Sequence, residues 1–186
     1  MSRATGWIAS VFTKDLLVDP KTRNVNDVKH EVVAAASSRS AEQAKKFLQE
    51  CGVPSPVAAY GSYAELVSDK NVDIVYVATP HSLHFQNVML CLNAGKHVLC
   101  EKAFTVNADQ AKILIAEAKK RNLFLMEALW TRYFPLSVEI RKLVQDGKIG
   151  KVHRVMADLS AGEDVSASNR FCAWCQRKLI ASGFFF

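Results

Sequence analysis

The most concentrated chemistry in this sequence lies in Val98-Leu99-Cys100-Glu101-Lys102-Ala103, an apolar run that ends abruptly in a carboxylate and an ammonium. A run that is apolar on both sides reads as a strand buried in a parallel sheet, and charge at its carboxyl end lies where such sheets bind ligands. Lys102 is therefore a candidate for chemistry, with Glu101 beside it. The alternative is that two charged residues simply end a strand at the surface.

Three further segments carry residues of the same kind. Ala4-Thr5-Gly6-Trp7-Ile8-Ala9 has the spacing of a phosphate-binding turn, in which Gly6 would let the backbone approach a pyrophosphate and Ala9 would hold the next helix close to a sheet. Only Met1-Ser2-Arg3 precede it, so a plain small-residue turn stands beside that reading. The run Val32 to Ala36 leads into Ser37-Ser38-Arg39-Ser40 with no carboxylate at its tip. An acid there would grip a ribose 2′-hydroxyl, whereas hydroxyls plus Arg39 suit a 2′-phosphate, which favours NADP over NAD. Ser38 or Ser40 also reads as a helix N-cap. Thr79-Pro80-His81-Ser82-Leu83-His84 places two imidazoles after another apolar run, where contact with cofactor or substrate is expected. A metal there lacks a third ligand at convincing spacing.

Glu127 to Pro135 gathers Trp130, Tyr133 and Phe134 around Arg132, reading either as an interdomain hinge or as a wall beside a nicotinamide. Cys172-Ala173-Trp174-Cys175 is a C-x-x-C pair without the strand-to-helix context of a redox motif or a second pair for zinc.

The elements that must position these groups follow from periodicity. Strand-like runs occur at Val32–Ala36, Asp73–Ala78, His97–Cys100 and Leu123–Met126, separated by helix-period stretches at Ser40–Cys51, Ser62–Ser68, Ser82–Ala94 and Asn107–Arg121. This alternation predicts a doubly wound parallel sheet. Gly52, Gly61 and Gly95 fall at helix ends or junctions, and Asn107 with Gln110 three residues later opens a helix. After Pro135 come an amphipathic helix through Val144 and an alternating run His153–Leu159, expected to be the first strand of a second domain. The expected division is thus a dinucleotide-binding domain over 1–134, the start of a substrate and dimerisation domain over 135–165, and an irregular, poorly ordered tail over 166–186.

Composition narrows the class. The 186 residues are 49% hydrophobic and 23% charged, which allows one good core and at most a second small lobe. No stretch is long and apolar enough to span a membrane, and no secretory signal is visible, so a cytoplasmic location is expected. The formal charge of +6 is scattered among acids, which argues against a nucleic-acid partner and suits a phosphorylated cofactor. Cys51, Cys91 and Cys100 sit in apolar or helical contexts expected of buried, reduced thiols.

Taken in order, Ala4-Thr5-Gly6-Trp7-Ile8-Ala9, Ala59-Tyr60-Gly61-Ser62-Tyr63, Ala78 to His84, Ala94 to Lys102 and Leu125 to Pro135 resemble the Gfo/Idh/MocA oxidoreductases, over about Ala4 to Val165. The nearest branch in pattern is that of dimeric dihydrodiol dehydrogenases and fungal NADP-dependent D-xylose dehydrogenases. The resemblance implies a Rossmann domain that binds NADP, a C-terminal α/β domain that completes the pocket and a homodimer, and hydride transfer from a sugar or trans-dihydrodiol to NADP. By position it makes Lys102 the catalytic lysine. It puts Thr5, Gly6, Trp7, Ile8, Ser37, Ser38, Arg39, Thr79, Pro80, His81, His84, Glu101, Lys102, Trp130 and Arg132 at the cofactor, and no metal.

Three departures qualify it. The family's Glu-Lys-Pro is Glu101-Lys102-Ala103 here; the first Rossmann strand is missing, which leaves two strands to close a gap or present raw edges; and no tyrosine follows Tyr133, so the family's acid–base Tyr has no counterpart. A catalytically inactive fragment with residual dinucleotide binding or an interaction role is the alternative expectation.

Overall fold

The computed structural model describes residues 6–54 and 56–158, which include eleven regular elements. In order they are α1 (Trp7–Leu16), β1 (Ala34–Ala36), α2 (Ala41–Cys51), β2 (Ala58–Tyr60), α3 (Tyr63–Ser68), β3 (Ile74–Val77), α4 (His84–Asn93), β4 (His97–Glu101), α5 (Ala108–Lys120), β5 (Leu125–Ala128) and α6 (Pro135–Gln145). Every strand pairing is parallel, as the alternation of strand and helix requires. The chain divides into two units, 1–138 and 139–186, and all five strands belong to the first.

Helix ends follow local chemistry. Ser40 caps α2 through Gln43 N–H, Ser62 and Glu65 form a reciprocal capping box on α3, and the Asn107 side chain accepts from Gln110 N–H at the start of α5. Gly52 ends α2 at φ +74°, a left-handed conformation in which the N–H groups of Gly52 and Val53 reach back to Gln49 and Leu48. The end of α5 was not marked by any glycine: Asn122 takes the left-handed position at φ +55°, which its short amide side chain tolerates.

The strands form two separate sheets among the described residues, β1–β2 and β3–β4–β5. Among the described residues β1 and β3 do not pair. Helix α1 ties the two pieces together, because Phe12 stacks on Tyr76 of β3 with ring centroids 4.0 Å apart and Ser10 Oγ lies 3.6 Å from Cys51 Sγ of α2.

The core sits on the larger sheet. Val77, Val98 and Cys100 from β3 and β4 pack with Val88, Cys91 and Leu92 of α4, Leu114 and Ala118 of α5, and Val67 of α3. Central β4, with a neighbour on each side, is apolar and buried at Val98 and Cys100, as a strand covered on both faces must be. Cys51, Cys91 and Cys100 are all buried free thiols.

Two expectations need correction. Residues 153–158 form no strand, although their alternation is strand-like. A strand exists only where a neighbour takes up its backbone hydrogen bonds, and no described segment pairs with this one. The run Val32–Ala36 narrows to Ala34–Ala36, while β2, too short to leave a periodic signal, went unmarked. Thr5, the end of the 153–159 run, the tail over 166–186 and the Cys172–Cys175 pair lie outside the described residues.

Candidate active site

Of the candidate groups that the structure describes, Ser37, Ser38, Arg39, Thr79, Pro80, His81, His84, Glu101 and Lys102 lie at carboxyl ends of parallel strands or at the start of the following helix, while Gly6, Trp7 and Ile8 open α1. Such strand ends are where open α/β sheets take ligands. Lys102 follows β4 directly, with its side chain exposed, while Glu101 beside it is buried.

Glu101 is held from two sides. Its Oε1 accepts from the Tyr76 hydroxyl at 2.6 Å, and its Oε2 accepts from Lys102 N–H at 3.2 Å. Tyr76 is fixed in turn by the ring of Phe12. The carboxylate thus links β3 to the residue that carries the ammonium. Glu127 does a related job from β5, its Oε1 accepting from Phe104 N–H at 2.8 Å.

The two histidines hold the turn after β4. His81 Nε2 lies 2.8 Å from Lys102 O, and His84 Nδ1 lies 2.9 Å from Ala103 O while its Nε2 lies 2.8 Å from Thr79 O. His84 is fully buried. Both of its nitrogens face carbonyl oxygens, so the ring donates both bonds only when it carries two N–H protons. Thr79 Oγ1 also accepts from Asn87 Nδ2 at 3.0 Å, which fixes the hydroxyl at the end of the β3 segment. Thr79, His81, His84, Glu101 and Lys102 therefore form one connected cluster, and the Lys102–Ala103 peptide within it is cis.

At the β1 edge, Ser37 is buried; its N–H donates to Tyr60 O and its Oγ accepts from Arg39 N–H at 3.3 Å. Its hydroxyl shapes the tip. Ser38 and Arg39 are exposed there, and Arg39 makes no ion pair among the described residues. Gly6 is the N-cap of α1 without a side-chain cap, and the N–H groups of Trp7, Ile8 and Ala9 open the helix, where an anion is favoured. Trp7 is exposed and Ile8 half-buried. This set fits a dinucleotide carrying a 2′-phosphate: an uncapped helix start for a pyrophosphate, and a guanidinium without a carboxylate rival at the tip.

Trp130 and Arg132 lie in a short 3-10 turn, Trp130–Tyr133, with both side chains exposed; the Trp130 ring packs against that of Phe134, tilted by 60° with centroids 5.6 Å apart. Pro80 is exposed. Among the described residues no cluster of His, Cys, Asp or Glu is arranged for a metal, and no helix is long and apolar enough to cross a membrane.

Sequence reasoning missed Tyr76 and Asn87. Both turn a polar atom inward from otherwise apolar elements, and the polar residue within an apolar period was the signal available at Asn87. Replacing Tyr76 by Phe leaves a buried carboxylate with one donor fewer, and is expected to destabilise the fold by about 1–3 kcal/mol in urea titrations. Burial and the Glu101 carboxylate also push the Tyr76 hydroxyl well above its ordinary value, and burial pushes the Cys91 and Cys100 thiols up to about 12. These groups are neutral in the folded chain and ionise more readily when it unfolds, so their stabilisation is complete below about pH 9 and declines as pH rises above it. The urea midpoint is expected to fall as pH rises from about 9 to about 11, less steeply in the range above pH 10 for Tyr76→Phe than for the unmodified chain.

Comparison with known proteins places this geometry. The family model described as "Oxidoreductase family, NAD-binding Rossmann fold" matches residues 5–129. The D-xylose 1-dehydrogenase (NADP(+)) of Hypocrea jecorina is 62% identical over 157 residues, covering 84% of this chain and 40% of that protein. The human trans-1,2-dihydrobenzene-1,2-diol dehydrogenase is 43% identical over 155 residues, covering 83% of this chain and 43% of that protein. Among solved structures, a 3-ketoreductase from Actinomadura kijaniata in complex with NADP superposes with a TM-score of 0.62 at 33% identity, over 80% of this chain and 44% of that one. An NAD-binding oxidoreductase from Klebsiella pneumoniae superposes with a TM-score of 0.72 at 26% identity, over 78% and 38%. The chain thus spans less than half the length of these relatives.

Proposed function

Because the chain belongs to the Gfo/Idh/MocA family of oxidoreductases, we propose that it binds NADP along the carboxyl edge of its sheets and serves the oxidation of a hydroxyl carbon. The substrate is an aldopyranose of the D-xylose type, with a trans-dihydrodiol as the related second class. The observation that carries this reading is the 62% identity to a protein named as an NADP-dependent D-xylose 1-dehydrogenase. In balance, aldopyranose and NADP+ give lactone, NADPH and a proton; a dihydrodiol gives a catechol in the same way. The cofactor, when bound, accepts the hydride.

The rest falls to the protein's own side chains. Arg39 and Ser38 hold the 2′-phosphate, while the start of α1 at Gly6, Trp7 and Ile8 faces the pyrophosphate, with Thr5 just before it. Lys102 donates a hydrogen bond to the reacting hydroxyl and favours its oxygen as the proton leaves. Glu101, held by Tyr76, fixes the backbone from which Lys102 projects. Thr79, Pro80, His81 and His84 fix the turn beside it, and Trp130 and Arg132 wall the nicotinamide side.

The proposal divides the chain into the dinucleotide-binding domain over 1–134, the beginning of the substrate domain over 135–165 and a tail over 166–186. It also includes a cytoplasmic location, which the three buried free thiols suit, and a homodimer, for which exposed Leu136, Ile140 and Leu143 on α6 supply apolar surface. A second reading is dinucleotide binding without turnover, since the groups gathered at the carboxyl edge of the sheets suffice to hold a nucleotide.

The test is NADPH formation from NADP and D-xylose, followed by absorbance. Turnover that drops by about a hundredfold or more in Lys102→Ala, with NADPH affinity little changed, is the expected result. Turnover that survives the substitution would remove Lys102 from the chemistry. Binding without any turnover would favour the second reading.

A further inference from the structure

The turn that carries Lys102 is held from both faces of the larger sheet. Residues opposite one another on neighbouring strands share a face, and successive residues alternate between faces. Cys100 stands opposite Glu127, so Glu127 lies on the face where Cys100 packs with α4 and α5. Tyr76 stands opposite Leu99, so Tyr76 and Glu101 lie on the other face, where Phe12 of α1 stacks on Tyr76. Each face thus sends one carboxylate to the end of β4. Glu101 Oε2 accepts from Lys102 N–H, and Glu127 Oε1 accepts from Phe104 N–H.

The peptide between Ala103 and Phe104 is gripped at both ends. Its carbonyl lies 2.9 Å from His84 Nδ1, and its N–H donates to Glu127 at 2.8 Å. Both partners are anchored: the other nitrogen of His84 meets Thr79 O, and Glu127 sits on β5, which is paired to β4. A carboxylate is the stronger kind of acceptor for an amide N–H. Beyond this peptide the Phe104 side chain packs against the core. Its tilt is therefore fixed where the turn leaves Lys102 and re-enters the core. Glu127 is half-buried on an otherwise apolar face, a costly place for a carboxylate whose only printed bond is to this turn.

We propose that Glu127 is a positioning residue for Lys102, acting through the Ala103–Phe104 peptide that it holds jointly with His84. Its carboxylate meets backbone and not the reacting atoms. Without that acceptor the peptide can turn about its flanking bonds, and the backbone from which Lys102 projects turns with it, restrained by Glu101 on one face alone. The inference rests on the assignment of Lys102 to the reacting hydroxyl.

The test compares Glu127→Leu, which removes the acceptor, with Glu127→Gln, which keeps one. In Glu127→Leu, turnover of D-xylose with NADP is expected to fall about tenfold or more while the Kd for NADPH stays within about twofold. Glu127→Gln is expected to stay within about threefold of the unmodified chain in both. Backbone hydrogen exchange supplies an arm that needs neither cofactor nor turnover. Exchange at Phe104 reads the lost bond itself, and exchange at Lys102, two residues away, reads its transmission. Both are expected to speed about tenfold or more in Glu127→Leu, with Val98 and Leu114 unchanged. Faster exchange at Phe104 alone would make Glu127 a local brace and overturn the proposal. So would unchanged turnover in Glu127→Leu, a parallel loss of NADPH affinity, faster exchange across the whole core, or a Gln variant as impaired as the Leu variant. An unmodified chain without turnover counts against the oxidation itself, and exchange at Lys102 then decides the role of Glu127.

Discussion

Arg39→Ala is expected to raise the Kd for NADPH about tenfold to a hundredfold while leaving the Kd for NADH within about twofold. Hydrogen bonds to a charged group contribute about 1.5–3 kcal/mol, and each 1.4 kcal/mol is a factor of ten in affinity. Arg39 is exposed at the end of β1 and has no ion pair among the described residues, so its guanidinium need not leave a protein partner to meet a phosphate. Buried Ser37 accepts from the Arg39 backbone N–H and sets the course of the tip, which points the exposed pair Ser38 and Arg39 outward. Because the site is open to solvent, the preference for NADPH should shrink as salt is added. Fluorescence titrations of the two nucleotides at two ionic strengths measure both effects. Equal losses for NADPH and NADH would assign Arg39 to shape rather than to phosphate recognition.

Leu92→Ala is expected to cost about 2–5 kcal/mol, against about 0.5 kcal/mol or less for Ile113→Ala. Leu92 lies fully buried on α4 within the cluster of Val77, Val98 and Leu114, so truncation leaves a void that close neighbours fill only in part. Ile113 on α5 is 50% exposed and loses little on truncation. A loss near the upper end is comparable to the whole stability of many domains. Urea midpoints of the two variants decide the matter. Equal shifts would mean that the core does not lie between α4 and the larger sheet.

The fold was legible where burial imposes an unbroken apolar run. Four of the five strands announced themselves because parallel strands are covered on both faces, and β2 did not because Ala-Ala-Tyr is too short for a period. Alternation at 153–158 misled for the opposite reason: a wet-faced pattern is a local property, whereas a strand requires a partner. The candidate site was legible through Glu101, Lys102, His81 and His84, whose types are out of place after apolar runs. Their supports were not, since nothing in the sequence tells that the Tyr76 hydroxyl meets Glu101 or that the Asn87 amide meets Thr79. That the described strands fall into two sheets, with β1 and β3 unpaired, was not legible in any of the four strand-like runs, because each run reports its own burial and not its neighbour.

The central claim is that this chain holds a phosphorylated nicotinamide nucleotide, and titration of the unmodified chain with NADPH, with NADH beside it, tests it most directly. Saturable binding with NADPH at least tenfold tighter than NADH is the predicted result. A chain that unfolds cooperatively, and is therefore folded, yet binds neither nucleotide or binds NADH more tightly would contradict the account.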